Sequence, residues 1–281
     1  MITAKIIAHS KSPAGKEIIS LQLHYPKFIH GEFMTHRVFS RNASSSRAIP
    51  FEKMLADIEE DTAIPVYWGK NQPGMQAKEE FGLEGRKYAE EIWLDSRDAA
   101  IQQAKILHKI GLHKQICNRL LEPFYNINVL VTATEWSNFF ELRDHPDAQP
   151  EMRALAIAMK QAMAESKPTE LYEGEWHLPY IQRMDMALYN TDVKKLIKIS
   201  VARCTRVSYL TQDGKQPSVE NDLKLYDRLV GAKPIHASPA EHQATPDSAA
   251  DGKNDWYYKS LHGNLVGWKQ YRKYLEKNIK P

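Results

Sequence analysis

Only two cysteines, Cys117 and Cys204, occur in 281 residues, too few for a disulfide framework and without C-x-x-C spacing. Reduced, bystander thiols in a cytosol are expected. An excess of one charge is also missing: 38 Lys and Arg against 35 Asp and Glu leave a formal net charge of +3. That argues against nucleic acid as a partner on bulk electrostatics, so any anion site must be local. No run approaches the roughly 18 apolar residues of a membrane span. Residues 1–20 carry Lys5, Lys11, Lys16 and Glu17 where a signal peptide would be apolar. A soluble, cytoplasmic protein with no membrane partner is the expectation. Neither G-x-G-x-x-G nor G-x-x-x-x-G-K-[ST] occurs, which argues against Rossmann and P-loop phosphate sites. No His and acidic residues stand at a recognised ligand spacing, so no metal is expected.

What is present is ordinary globular composition, 42% hydrophobic and 26% charged, enough to bury a core within one unit spanning 1–281. Residues 2–8 and 17–25 read as strands. In the second, Ile19, Leu21, Leu23 and Tyr25 alternate with Ser20, Gln22 and His24, the pattern of a sheet with one buried face. Residues 124–132 alternate likewise. Residues 78–120 predict one long helix, or two broken near Gly111, with Trp93, Ala100, Ala104 and Leu107 as core. Further helices are expected at 134–143, 150–166, 192–204, 219–230 and 263–278, with Pro150 in a first turn, Ser218 as an N-cap and Gly231 as a stop. The stretches 61–75, 166–190 and 243–257 read as loops. Strands and long helices without βαβ alternation predict an α+β domain, mainly antiparallel sheet packed with long helices.

Thr35–Arg47 is the most unusual window. It gathers Arg37, Arg41 and Arg47 with His36, Asn42 and the hydroxyls of Ser40, Ser44, Ser45 and Ser46. Guanidinium forks and small hydroxyl residues suit a phosphate ester; a solvated polar loop fits the same composition. The segment Glu141–Asp147 combines acids, Arg143 and His145. Between His236 and His242, Ser238, Pro239 and Glu241 read as N-cap, first position and capping-box partner of a helix start, whose N–H groups suit a phosphate. The run Lys269, Arg272, Lys273 and Lys277 reads as a solvated helix face.

Together these windows resemble the flavin-dependent thymidylate synthases. That family carries Arg-His-Arg, seven residues, then Ser and often Arg two residues later; here Thr35-His36-Arg37 precedes Ser45 and Arg47. Phe139–Arg143 followed by Asp147-Ala148-Gln149 is similar to the segment whose Arg contacts the pyrimidine. Asn118–Pro123 is similar to the Arg-x-x-x-Pro hairpin that binds nucleotide phosphate. Val201–Tyr209 and His236–His242 look like the flavin-binding helix and turn, but follow the Arg-His-Arg strand instead of preceding it. The resemblance therefore implies a rearranged segment order, with 200–244 folding back beside 18–47 and 255–281 as a C-terminal helical extension.

The resemblance further implies methylation of dUMP to dTMP, with methylenetetrahydrofolate as carbon donor, NADPH as reductant and bound FAD, in a homotetramer. Arg143 is the implied catalytic group and contacts the pyrimidine. Ser45, Ser46, Arg47, Arg119 and Glu32 complete the substrate site. His36, Arg37, Asn138, Ser208, His236, Ser238 and Glu241 are the implied flavin set. Departures are Thr35 for the first Arg, Glu32 for Gln, Ala43 for an acid, and Thr132 and Thr134 where Asn and Arg usually hold the flavin. Alternatives are a hydroxymethyl-transferring relative, a flavin-free nucleotide-binding relative and, against the charge balance, a binder of single-stranded nucleic acid.

Overall fold

The computed structural model describes residues 1–208, 215, 217–231, 234–252 and 254–280. Its central strands are the period-2 runs. β1 (Thr3–Lys11) and β2 (Glu17–Pro26) form an antiparallel hairpin with a bulge between Ile6 and Ala8. A 3-10 turn (Lys27–Ile29) and α1 (His30–Phe33) lead into β3 (Ser40–Ala43). Next come α2 (Phe51–Glu60), α3 (Leu83–Lys109), α4 (Lys114–Cys117) and a 3-10 segment (Asn118–Phe124) that delivers the chain to β4 (Asn126–Ala133). After α5 (Ser137–Arg143) and α6 (Pro150–Ala164), β5 (Thr169–Glu170) runs parallel to β1. The sheet order is β3-β4-β2-β1-β5, with every pairing but the last antiparallel. α7 (Arg183–Tyr189), α8 (Val193–Arg206), α9 (Val219–Val230), a 3-10 turn (Ser238–Glu241), a ribbon of β6 (Ala244–Pro246) and β7 (Trp268–Gln270), and α10 (Tyr271–Lys277) follow. The architecture is α+β, as the sequence predicts.

Several boundaries follow from single residues. Gly111, at φ 89°, lets the chain leave the helical path, so the 78–120 stretch is broken there. Pro150 occupies the first turn of α6, and Ser218 accepts the Asn221 N–H at the start of α9. Gly263 and Gly267, at φ 62° and 80°, prevent a helix from 263; the predicted 263–278 helix is only α10, preceded by β7. The stretches 166–190 and 243–257, read as loops, contain β5, α7 and β6. These elements are too short to leave a periodic signal.

One sheet face is apolar. Ile19, Leu21, Leu23 and Tyr25 of β2 and Ile127, Val129, Val131 and Ala133 of β4 join one buried cluster with Met54 and Ile58 of α2, Ile101 of α3, and Leu155 and Met159 of α6. The other face, expected to meet water, is covered at its centre, while Gln22 and His24 stay half-buried. Ser20 and Thr132 are fully buried, covered by the chain beyond residue 170. His177 Nε2 lies 2.8 Å from Ser20 Oγ, and its Nδ1 lies 2.9 Å from Ser10 Oγ. Thr132 Oγ1 lies 2.5 Å from Ser20 Oγ and 2.8 Å from His242 Nδ1. Tyr180, Cys204 and Val207 pack on Leu130.

Residues of the 200–244 stretch pack against the first strands. Asn42 Nδ2 donates to the Cys204 carbonyl at 3.1 Å, and Gln270 Nε2 donates to the Glu241 carbonyl at 3.0 Å and to Ser40 Oγ at 3.3 Å. Arg203 of α8, buried, forks onto Asp185 of α7 at 2.5 and 2.9 Å and reaches Asp222 of α9 at 3.1 Å, tying three helices together. Tyr209, the last residue of the Val201–Tyr209 motif, lies outside the described residues.

Candidate functional site

The turn between β2 and β3 is built around a guanidinium turned inward. Arg41 Nη1 donates to the carbonyls of Met34 at 2.8 Å and His36 at 3.0 Å, so Arg41 fixes the turn. His36 is buried, lies 28° from the plane of Phe39, and meets Phe139 edge-on at 4.9 Å between centroids. α5 packs on this turn through Phe139 and presents Arg143 to it.

Arg143 Nε donates to His36 Nε2 at 2.9 Å, Nη1 forms an ion pair with Glu32, and Nη2 approaches Thr35 Oγ1 at 3.5 Å. As an acceptor at Nε2, the imidazole must be neutral with its proton on Nδ1. Burial first, then the neighbouring Arg143 and Arg41 cations, lower the His36 pKa to about 4, so it stays neutral around pH 7. Three contacts orient Arg143, and two of its five N–H groups remain to donate elsewhere.

The second cluster lies past the other end of β3. Ser46 Oγ donates to Glu122 Oε1 at 2.6 Å, and Asn118 Nδ2 donates to the carbonyls of Ser46 at 2.7 Å and Ile49 at 3.2 Å. These bonds fasten the 44–49 turn to the 3-10 segment beginning at Asn118. Ser45, Arg47 and Arg119 are exposed, and among the described residues neither arginine has an intramolecular hydrogen bond or ion pair. Two exposed guanidinium groups on fastened segments suit an anion. The four residues of β3 span about 13 Å at about 3.3 Å per residue. The two clusters therefore sit at opposite ends of that strand within one chain.

The expected flavin set is divided. Arg37 and Asn138 are exposed beside the Arg143 end. His36 is buried with Nε2 committed to Arg143. Glu241 is ion-paired with Arg272, and its charge acts on Arg41. His236 and Ser238 are exposed near the same turn. Ser208 lies apart, in a cavity of about 370 Å³ that also takes Ser44, His24 and Asp61. The capping box at 238–241 does not form: Ala237 holds the cap position of a four-residue 3-10 turn, and Glu241 turns to Arg272 instead. The solvated basic face is also corrected in part. Lys269 is buried on Glu173 at 2.6 Å, while Arg272 and Lys273 pair with Glu276. Thr132 is sealed beneath His242, and Thr134 Oγ1 accepts the Val266 N–H at 3.0 Å. The chain's own C-terminal part thus uses both threonines.

A cavity of about 780 Å³ opens beside Arg143 and Glu32, with Phe28, Tyr67, Trp93 and Gln149 among its walls. Trp93, read as core, is half-buried and lines this space while its Nε1 donates to the Ala63 carbonyl at 2.9 Å. Helical spacing places Trp93 on an inward face without distinguishing core from cavity wall. Gln149 belongs to the Asp147-Ala148-Gln149 motif, whereas Tyr67 stands in no motif that could have marked it.

The mainly antiparallel sheet, the arginine-held turn and the Arg143-bearing helix define an α+β protein with a cavity beside Arg143 and two exposed arginines past the other end of β3. Residues 3–169 match the family model described as thymidylate synthase complementing protein, and the chain belongs to that family. No curated protein matches it. Among solved structures, the UMP/dUMP methylase PolB from Streptomyces cacaoi bound with 5-Br dUMP is similar in fold. It has a TM-score of 0.50 and 16% identity, and the match covers 59% of this chain and 90% of that one. The same protein bound with 5-Br UMP gives a TM-score of 0.49 and 16% identity, over 59% and 89%.

Proposed function

We propose that the protein is a flavin-dependent thymidylate synthase that methylates dUMP to dTMP with methylenetetrahydrofolate and NADPH. The observation that carries this reading is Arg143, on the helix that carries the family-like motif, oriented by neutral His36 and by Glu32 beside a cavity of about 780 Å³. C5 of uracil is a weak nucleophile. A guanidinium held against a ring oxygen stabilises the negative charge that develops there as C5 attacks, and its value lies in being oriented beforehand. Ser45, Arg47 and Arg119, with the backbone at Ser46, bind the 5′-phosphate in this reading and so position the ring. Because one chain holds Arg143 and Arg47 at opposite ends of β3, a neighbouring copy supplies the phosphate-binding end, which supports a homotetramer with shared sites.

The residues beside Arg143 fit a flavin. Arg37 offers an exposed cation for a pyrophosphate, Asn138 an amide for a ring edge, and Val38 and Leu142 exposed apolar surface for a flat ring. FAD, when bound, supplies the redox step. His36 contributes by orienting Arg143, and Glu241 by neutralising charge around Arg41. A second reading, transfer of a hydroxymethyl unit, draws on Glu32: a carboxylate only accepts hydrogen bonds, so its pairing with Arg143 presents a ring with a different edge than Gln would.

The test is incubation with dUMP, methylenetetrahydrofolate and NADPH, with the product weighed by mass spectrometry; methyl and hydroxymethyl products differ by one oxygen. Arg143→Ala is expected to keep flavin absorbance that bleaches with dithionite while lowering product formation by about a thousandfold, as for loss of one preorganised donor. Normal turnover by this variant would refute the assignment.

A further inference from the structure

Glu32 and Arg143 stand side by side on the wall of the 780 Å³ cavity, both half-buried and paired with each other. After its bonds to His36, Glu32 and Thr35, Arg143 keeps two N–H donors. Glu32 uses Oε1 on Arg143, and among the described residues its Oε2 has no hydrogen bond. The pair therefore offers an approaching ring a carboxylate oxygen next to guanidinium N–H groups.

Other polar groups on the wall hold partners of their own. Lys70 N–H donates to the Glu79 carbonyl at 2.7 Å and Phe81 N–H to the Trp68 carbonyl at 2.9 Å, closing residues 68–81 into a hairpin that forms the outer wall. Its Gln76 amide donates to the Asp147 carbonyl. Gln149 Nε2 donates to Glu151 Oε2 at 2.9 Å, and Glu151 Oε1 accepts the Val66 N–H at 2.8 Å.

The hydrogen-bonding edge of a pyrimidine has three positions. On cytosine they run donor, acceptor, acceptor, from the 4-amino group through N3 to O2; on uracil they run acceptor, donor, acceptor. A carboxylate only accepts and a guanidinium only donates. An acceptor with two donors on one side of it therefore complements cytosine at all three positions, with the 4-amino group on Glu32 and N3 and O2 on Arg143. Uracil is matched at two: with N3–H on Glu32, Arg143 reaches one flanking carbonyl and the pair has no donor for the other. A Gln at position 32 would add an amide N–H and complete the uracil pattern.

We propose that Glu32 sets the base preference of this pocket, and that the pocket takes cytosine 5′-nucleotides such as dCMP more tightly than dUMP. The inference deepens the proposed function. It rests on the reading of Arg143 as the group that meets the pyrimidine, and it adds a second base to the one named there.

The experiment measures dissociation constants of dCMP and dUMP for the full-length protein with added FAD, and repeats them for Glu32→Gln. The two ligands share sugar and phosphate, so the ratio of their affinities isolates the base. The wild-type protein is expected to bind dCMP about tenfold more tightly than dUMP, as for one carbonyl left without a donor, and Glu32→Gln is expected to reverse the order. An equal loss of both nucleotides in Glu32→Gln would mean that Glu32 only holds Arg143 in place, and would overturn the proposal. So would a wild-type protein that binds dUMP but not dCMP, an outcome that leaves the thymidylate synthase reading standing. Binding of neither nucleotide would instead remove that reading, and the inference with it.

Discussion

The two faces of the five-stranded sheet are closed by different forces. On one, alternate residues of β2 and β4 meet α2, α3 and α6 through aliphatic and aromatic contacts, which are non-directional and accept several packings. On the other, Ser20, Thr132 and Gln22 meet His177, His242 and Tyr180 through bonds of 2.5 to 3.2 Å. Hydrogen bonds tolerate little displacement, so the polar face specifies where the late segment docks. A segment this far along the chain needs such an address, because no short connection brings it to the sheet.

The comparison breaks first, and by the largest amount, on the apolar face. Leu21→Ala is expected to cost about 3 kcal/mol, within the usual span for a buried Leu truncation, read as a lower urea midpoint at constant slope. A loss below about 1 kcal/mol would mean that the apolar face collapses around the cavity and is not the stronger closure.

Acid sharpens the contrast through the two histidines that close the polar face. Burial, with the neighbouring His9 and His242, lowers the His177 pKa to about 3, and burial lowers that of His242 to about 3. Both are neutral when folded, while the unfolded chain protonates them near 6.5. Below that value the unfolded state binds more protons, so stability is full above about pH 6.5 and declines as pH falls toward 3. Between pH 7 and 5.5 the pair together is expected to remove about 2 kcal/mol. A urea midpoint unaffected by pH in this range, or an equal decline in His177→Gln/His242→Gln, would show that these rings are not the titrating groups.

The sequence reveals these two faces unequally. Alternation in 17–25 and 124–132 gives both central strands and most of the apolar residues that meet the helices, although not Ala133. The same alternation suggests that Ser20, Gln22 and Thr132 face water, because a serine bonded to water and one bonded to a histidine read alike. Its partner His177 is 157 residues away, and no local pattern links them. The site shows a similar limit. Arg143 and Ser45 stand out through family-like motifs, whereas the His36–Arg143 contact and the inward turn of Arg41 depend on how α5 packs through Phe139. The hairpin 68–81 falls partly in the stretch 61–75 that reads as loop and partly in the 78–120 stretch that reads as helix, because its pairings run between backbone groups and leave no period in the side chains.

The smallest expected effect tests whether the polar face is an address or merely a second adhesive. Thr132→Val keeps the volume of the side chain but removes the hydroxyl that lies between Ser20 and His242. The global cost should be about 1 kcal/mol, the usual net value of a buried hydrogen bond. Its distribution matters more than its size. If the bond fixes the docking of 242–246, amide exchange there should quicken while Leu21 and Val131 keep the protection of the apolar face, because local opening of the segment no longer breaks a directional contact. Exchange that quickens equally on both sides would mean that the sheet and its late-arriving cover unfold as one unit, and that burial alone holds residues 200–244 in place.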